Sequence, residues 1–424
     1  MDNLLKETTE SASENSRQDA IIGATRFGIL LAFLHTTLEP LEFSSRTHIS
    51  QGTVTLLRAL MTTRGEQRRF ILVPTYEYNY LYSDVMSHIL RATRQAFAES
   101  TSEMNRDTQS IAVLSYPNIY RENVLANCLL GHEIGHFVVE QSQLVNKVMS
   151  QIQLNHDLLQ KIIDEAKKAQ VGPQSTMTDF LSDEMIRAET TNQLTSVLDS
   201  WITELSSDIF AFRILGPVFV FSLTKILLTL QPFDVSSHDH PSARTRLKLL
   251  LEQIEQQSFL PDLRKVTGAN LTIAAEIVSF FEGLKKETIG ASRVPPSSRE
   301  EVLEVEILDD AIEGIREKMI AEVDRIVVGH GYRTYSATMM VNDIFQLYDC
   351  LSSFVPPCER APGEPGDIVS ILNAGMAFMI GGKEEYYTHF QAKDIRKKLE
   401  AEEKINQLIL KAIELSYLET RLRI

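Results

Sequence analysis

Residues 132 to 136 read His132-Glu133-Ile134-Gly135-His136, and no other stretch restricts the fold so strongly. On a helix, positions i and i+4 share a face, so both imidazoles can point at one metal ion. Glu133, beside the first histidine, can then hold a water and take its proton. Two histidines do not complete such a site. A further ligand must come from another element packed across this helix. The flanking residues carry no proline and predict a helix from about Arg121 to Gln143. Gly131 and Gly135 weaken that helix but admit a closely packed backbone or a ligand.

The stretch from Trp201 to Ala211 is the best source of the missing ligand. Glu204 and Asp208 stand four apart and face the same way. Their neighbours Leu205, Ile209 and Phe212 are apolar, which predicts a buried helix. Two buried carboxylates are costly unless a cation accompanies them. Glu204 could bind the metal, and Asp208 could accept the other ring N–H of a histidine ligand. Downstream lies His238-Asp239-His240-Pro241-Ser242-Ala243-Arg244-Thr245-Arg246. A loop ending in His-Pro places an imidazole at the mouth of a helix. His238 or His240 could steady an oxyanion or close the fourth metal position. Arg244 or Arg246 could neutralise the buried acids or hold a substrate carbonyl.

Taken in order, these three segments resemble the gluzincin metallopeptidases of the HtpX and CAAX prenyl endopeptidase type. Arg246 stands five residues after Pro241, where that pattern has its arginine. The resemblance covers roughly residues 110–250. It implies a zincin-like core and a Zn²⁺ ion bound by His132, His136 and Glu204. It makes Glu133 the general base of peptide hydrolysis and Asp208 the partner of His132. His240 and Arg246 are then the groups available to the developing oxyanion. The departures are specific. Leu205-Ser206-Ser207 stands where the family usually has Glu or Phe with Ala between the two acids, and His238-Asp239 precedes the His-Pro pair. The long spans of the membrane members are missing, so the chain resembles a soluble bacterial relative, and their substrates are not carried over.

The expected fold is mainly α (α+β), with a small β-sheet near the site and a helical C-terminal region. Three regions are expected: 1–109, 110–257 and 258–424. Strands are predicted at 69–74 and 110–116, the second forming an edge along which an extended peptide could pair. Helices are predicted at 20–38, 80–97, 144–170, 180–215, 218–230, 242–257, 269–286, 308–328, 336–352, 368–380 and 392–422. Breaks fall at 171–175, 290–298 and 356–366.

Composition narrows the function. The 42 basic and 57 acidic residues give a net charge of −15, without a concentrated basic stripe, which argues against nucleic acid. Cys128, Cys350 and Cys358 form no disulfide framework and suit a reducing, cytoplasmic setting. The first residues lack a signal-peptide core. The apolar run 214–230 is short for a span and contains Lys225, so a buried helix is expected there and no membrane span. The expected partner is a protein or peptide substrate. The charged amphipathic helices at 144–170 and 392–422 suit a second copy or a partner protein. The alternative to a metalloendopeptidase is a catalytically silent, zinc-stabilised binding or regulatory module.

Overall fold

The structure is a computed structural model that describes residues 49–61, 69–77, 79–84, 111–152, 154–170, 183–230, 235–290, 299–361 and 363–422, with isolated helical positions between 18 and 35. The chain divides into two units: residues 1–49 with 66–118, and residues 50–65 with 119–424.

The first unit holds a three-stranded sheet of β1 (Arg69–Thr75), β2 (Leu81–Asp84) and β3 (Ile111–Pro117), in the order β1-β3-β2. β1 runs parallel to β3, from Arg69 opposite Ile111 to Thr75 opposite Pro117. β2 is antiparallel, with Leu81 opposite Ser115 and Asp84 opposite Ala112. Ala112, Val113, Leu114 and Tyr116 are buried on both faces, as an unbroken apolar run requires. This corrects the reading of β3 as a free edge. Residues 112–115 are paired on both sides, so an incoming peptide has no ladder to extend there. The helix expected from residue 80 is also corrected at its start. Residues 81–84 are a strand, because pairing with β3 overrides a weak local preference. The rest of that expected helix lies outside the described residues, as do the breaks at 171–175 and 291–298.

The second unit is helical. In chain order its helices are α1 (Gln51–Met61), α2 (Leu130–Gln141), α3 (Leu144–Met149), α4 (His156–Gln170), α5 (Asp183–Leu215) and α6 (Pro217–Leu230). Next come α7 (Ala243–Gln256), α8 (Phe259–Leu263), α9 (Leu271–Gly290), α10 (Arg299–Gly329) and α11 (Ala337–Ser352). After a short hairpin of β4 (Glu359–Ala361) and β5 (Glu364–Pro365) come α12 (Ile368–Ala377), α13 (Lys383–His389) and α14 (Ile395–Leu422). The chain is therefore mainly helical with a small sheet, as the sequence predicts.

Two predicted helices are shorter than expected, and side-chain hydrogen bonds explain both. The motif helix begins at Leu130, after a 3₁₀ turn at Ala126–Leu129. Ahead of it, Asn123 Oδ1 accepts from Ala126 N at 3.0 Å and Asn127 Nδ2 donates to Tyr120 O at 3.1 Å. These bonds hold the backbone in a turn. The helix expected over 144–170 splits because Asn155 Oδ1 accepts from Asp157 N at 3.1 Å and Leu158 N at 3.3 Å. That cap starts α4 afresh.

α5 is the axis of this unit. Its 33 residues span about 50 Å. From Trp201 to Leu215 nearly every side chain is buried, polar ones included. It packs against α2, α4, α6, α7 and α10. The chain leaves α5 through Gly216 at φ +70, where an added Cβ would stand 2.5 Å from the Tyr335 ring. Asn373 ties this turn together. Its Nδ2 donates to Leu215 O at 2.9 Å and its Oδ1 accepts from Val218 N at 3.0 Å. α6, the apolar run of the sequence, is buried at Val218, Phe219, Val220, Phe221 and Leu223. No helix among the described residues is long and apolar enough to cross a membrane. α14 lays Ala401, Ile405, Ile409 and Ile413 inward and packs on α1 and α12, so that apolar face is used within the chain.

The contact of α2 with α5 is unusually close. A Cβ at Gly135 would stand 2.8 Å from Ser207 Cα and 2.9 Å from Ser207 O. A Cβ at Gly131 would meet the tip of the Leu215 side chain at 2.7 Å, a neighbour that can rotate away. Gly135→Ala should therefore destabilise the protein by about 1–3 kcal/mol, and Gly131→Ala by clearly less. Urea denaturation of both variants checks this, and equal losses would contradict the close approach of the two backbones.

Candidate functional site

Two helices and one loop bring the site together. α2 presents His132, Glu133 and His136; α5 presents Glu204 and Asp208; the entry to α7 presents His240 and Arg246. His132, Glu133, Glu204, Asp208 and Arg246 are buried. The Nε2 atoms of His132 and His136 stand 3.0 Å apart. Glu204 Oε2 is 3.4 Å from His132 Nε2, and Glu204 Oε1 is 3.2 Å from His136 Nε2. Donors about 2.0–2.1 Å from a tetrahedral zinc ion stand ~3.3 Å from one another, so these separations suit three ligands of one small ion, although the two carboxylate distances use different oxygens. His132, Glu133 and His136 each bring a ligand-type atom within 4.8 Å of the others. Glu204 Oε2 is buried and accepts no hydrogen bond. A buried acceptor in that state is unsatisfied without a further partner.

Behind the ligand atoms lies a charge chain. Asp208 Oδ1 is 2.8 Å from His132 Nδ1, within reach of a proton on that nitrogen. Arg246 meets Asp208 with two parallel bonds, Nε to Oδ2 and Nη2 to Oδ1, both 2.7 Å. Its Nη1 lies 3.3 Å from Glu204 Oε2. Of the two parts read for Arg246 from the sequence, the geometry displays neutralisation of the buried acids. The other arginine, Arg244, points away and donates to Thr288 O at 2.7 Å.

His240 is half exposed, with Nδ1 3.3 Å from Glu204 Oε2. Its loop is fastened by bonds that no spacing in the sequence announces. Trp201 Nε1 donates to Ser237 O at 3.0 Å, and Ser237 Oγ accepts from His240 N at 3.0 Å. Ser242 caps α7 by accepting from Thr245 N at 3.1 Å. His238 is exposed and lies 3.2 Å from its neighbour Asp239. Ser207, between the two acids, is the residue against which Gly135 closes. The small Ser206-Ser207 pair in the sequence was the signal for that approach.

The titration of these groups follows from burial and contact. Burial disfavours the His132 imidazolium, but Glu204 and Asp208 outweigh it and lift its pKa to about 10. Burial would raise the Glu204 pKa, yet His132 and Arg246 hold it well below the usual carboxylate range. Asp208 is likewise held down against its burial, chiefly by Arg246. The Glu204 carboxylate beside His240 raises the pKa of that imidazole. By these shifts, His132⁺ and Arg246⁺ balance Glu204⁻ and Asp208⁻.

Comparison of the chain with protein-family models, curated proteins and solved structures finds no match.

Two outcomes follow. Removing Arg246 leaves two buried carboxylates short of their main cation. Arg246→Ala should cost about 3–5 kcal/mol in chemical denaturation. The exposed Arg396, paired with Glu400 at 3.1 Å, serves as the control. Arg396→Ala should change stability by less than about 0.5 kcal/mol, and similar losses for the two would refute the buried network. The second outcome concerns pH. The acids beside His132 lift its pKa to about 10, and a ligand nitrogen must be unprotonated. Zinc uptake at neutral pH should release about one proton per ion, and affinity should weaken as pH falls. Titration calorimetry in buffers of different ionisation enthalpy reads this directly; uptake without proton release would rule out His132 as a ligand.

Proposed function

We propose that this chain is a zinc-dependent endopeptidase of the gluzincin type, with a zincin-like core formed by α2, α5 and α7. The observation that carries the reading is the convergence of His132, His136 and Glu204 beside Glu133. The donor set suits zinc: two neutral imidazoles and one carboxylate, with Asp208 at the back of His132. Bound there, the ion supplies Lewis acidity, which lowers the pKa of water and polarises a carbonyl.

The remaining work belongs to the side chains. Glu133 takes a proton from the attacking water and hands it to the departing amine. It stands one residue from His132 on the same helix turn, so its carboxylate is held beside the ligand atoms. Asp208 fixes His132 with Nδ1 protonated, which leaves Nε2 as the ligand atom. Arg246 acts through the two acids and holds both in place, so it is a positioning residue. His240, half exposed at the rim, is the group that faces the oxyanion of the tetrahedral intermediate. The substrate is a peptide or protein, and the reaction is hydrolysis of a peptide bond.

Glu133→Gln separates this reading from that of a silent zinc-stabilised module. The variant should retain about one zinc per chain and lose peptide hydrolysis by at least about a hundredfold. His132→Ala should lose the metal itself. Metal analysis paired with cleavage of a peptide library reads both, and a fully active Glu133→Gln protein would remove Glu133 from its role.

A further inference from the structure

A second site lies in the C-terminal helical part. A cavity of about 610 Å³ opens between α1, the α10–α11 connection, the β4–β5 hairpin, the start of α12 and the end of α14. Such a volume suits a small organic ligand. Its lining is largely apolar, with Leu60, Ile214, Met339, Ile368 and Val369 among the contributors. None of the candidate metal ligands lines it.

The charged groups on its wall are two guanidiniums, Arg333 and Arg360, and two carboxylates, Asp343 and Asp367. Arg333 Nη1 pairs with Asp367 Oδ1 at 2.6 Å, and Asp367 Oδ2 also accepts from Ser370 N at the start of α12. The second pair is loose. Arg360 Nη1 stands 3.8 Å from Asp343 Oδ1, too far for a hydrogen bond. Asp343 is buried and fixed, because Ser370 Oγ donates to its Oδ2 at 2.8 Å. Arg360 is half exposed on a two-strand hairpin, where its Nε pairs with Glu364 Oε2 at 3.1 Å and its Nη1 is left facing Asp343. The same wall includes a buried hydroxyl, Tyr335 Oη, which meets no hydrogen-bond geometry in the protein; its neighbour Ser370 donates to Asp343. Buried hydroxyls are ordinarily bonded.

We infer that this cavity binds a small apolar zwitterion, an apolar α-amino acid or a dipeptide. The ammonium group bonds to Asp343 Oδ1, the carboxylate bonds to Arg360, and Tyr335 Oη supplies a further bond to the head group. The apolar side chain enters toward Ile214 and Val369. The ammonium gives the buried Asp343 Oδ1 the cation that Arg360 leaves 3.8 Å away, and the carboxylate takes the Arg360 Nη groups that Glu364 does not hold, so both charges contribute. The binding stands independently of the reading of the metal centre, since a free amino acid has no peptide bond to cleave.

The test is titration calorimetry on the full chain with L-leucine, L-phenylalanine and L-leucyl-L-leucine, using the Glu133→Gln protein for the dipeptide. N-acetyl-L-phenylalanine and L-phenylalaninamide each remove one charge. The expected result is saturable binding of the zwitterions, with each blocked analogue at least about tenfold weaker. Arg360→Gln, an exposed change, should weaken L-phenylalanine by a similar factor with the melting temperature unchanged. Asp343→Asn should abolish ammonium discrimination, so that phenylalanine and N-acetylphenylalanine bind alike. Equal affinity of blocked and unblocked ligands, an Arg360→Gln protein that binds as the parent does, or no heat up to ~10 mM ligand would each overturn the proposal.

Discussion

Two carboxylates on one buried turn of α5 impose the constraint around which the second unit is arranged. Neither Glu204 nor Asp208 can remain ionised in that position without nearby positive charge. The chain supplies it from two directions. α7 delivers Arg246, whose planar fork matches the Asp208 carboxylate. α2 delivers His132, whose two ring nitrogens face one acid each, at 2.8 Å and 3.4 Å. The fold must therefore hold α2 and α7 against the same stretch of α5. The small residues Gly135 and Ser207 allow the first contact, and the Ser242 cap with the Trp201–Ser237 bond directs the second.

This arrangement also explains why so many polar side chains lie inside. A neutral buried network loses little when every member is bonded, whereas one missing partner exposes the whole desolvation cost. Glu204 Oε2 is the weak point, buried and without a hydrogen bond. Arg246 closes the other side with two bonds to Asp208, and the proposed ion would supply the partner that Glu204 Oε2 lacks.

Much of this site was legible in the sequence, because its logic is one of helical spacing. Four-residue separation put His132 with His136 and Glu204 with Asp208, and the distances between the groups agree with that pairing. The serines between the acids read only as a departure from a familiar pattern; the backbone contact they permit with Gly135 is a matter of packing between segments far apart in the chain. The helix ends at Leu130 and Asn155 were less legible, since an asparagine side chain can bond the backbone or ignore it. The place of β3 at the centre of its sheet was hidden for another reason. An apolar run announces burial but not which strands will flank it. The cavity of the C-terminal part draws on residues from Ala59 to Thr420, and no local pattern foretells such a meeting.

The near-contact of Gly135 with Ser207 has a consequence for ion choice. Histidines on one backbone and a glutamate on another form a pair of calipers whose opening is set by how far apart the two helices stand. A methyl group added at Gly135 would meet the Ser207 backbone at 2.8–2.9 Å and force the jaws wider. Under the proposed reading, a gap set this way would fix the separation of the imidazole and carboxylate donors, and geometry of that kind is one means by which a site with common ligands discriminates among divalent metals.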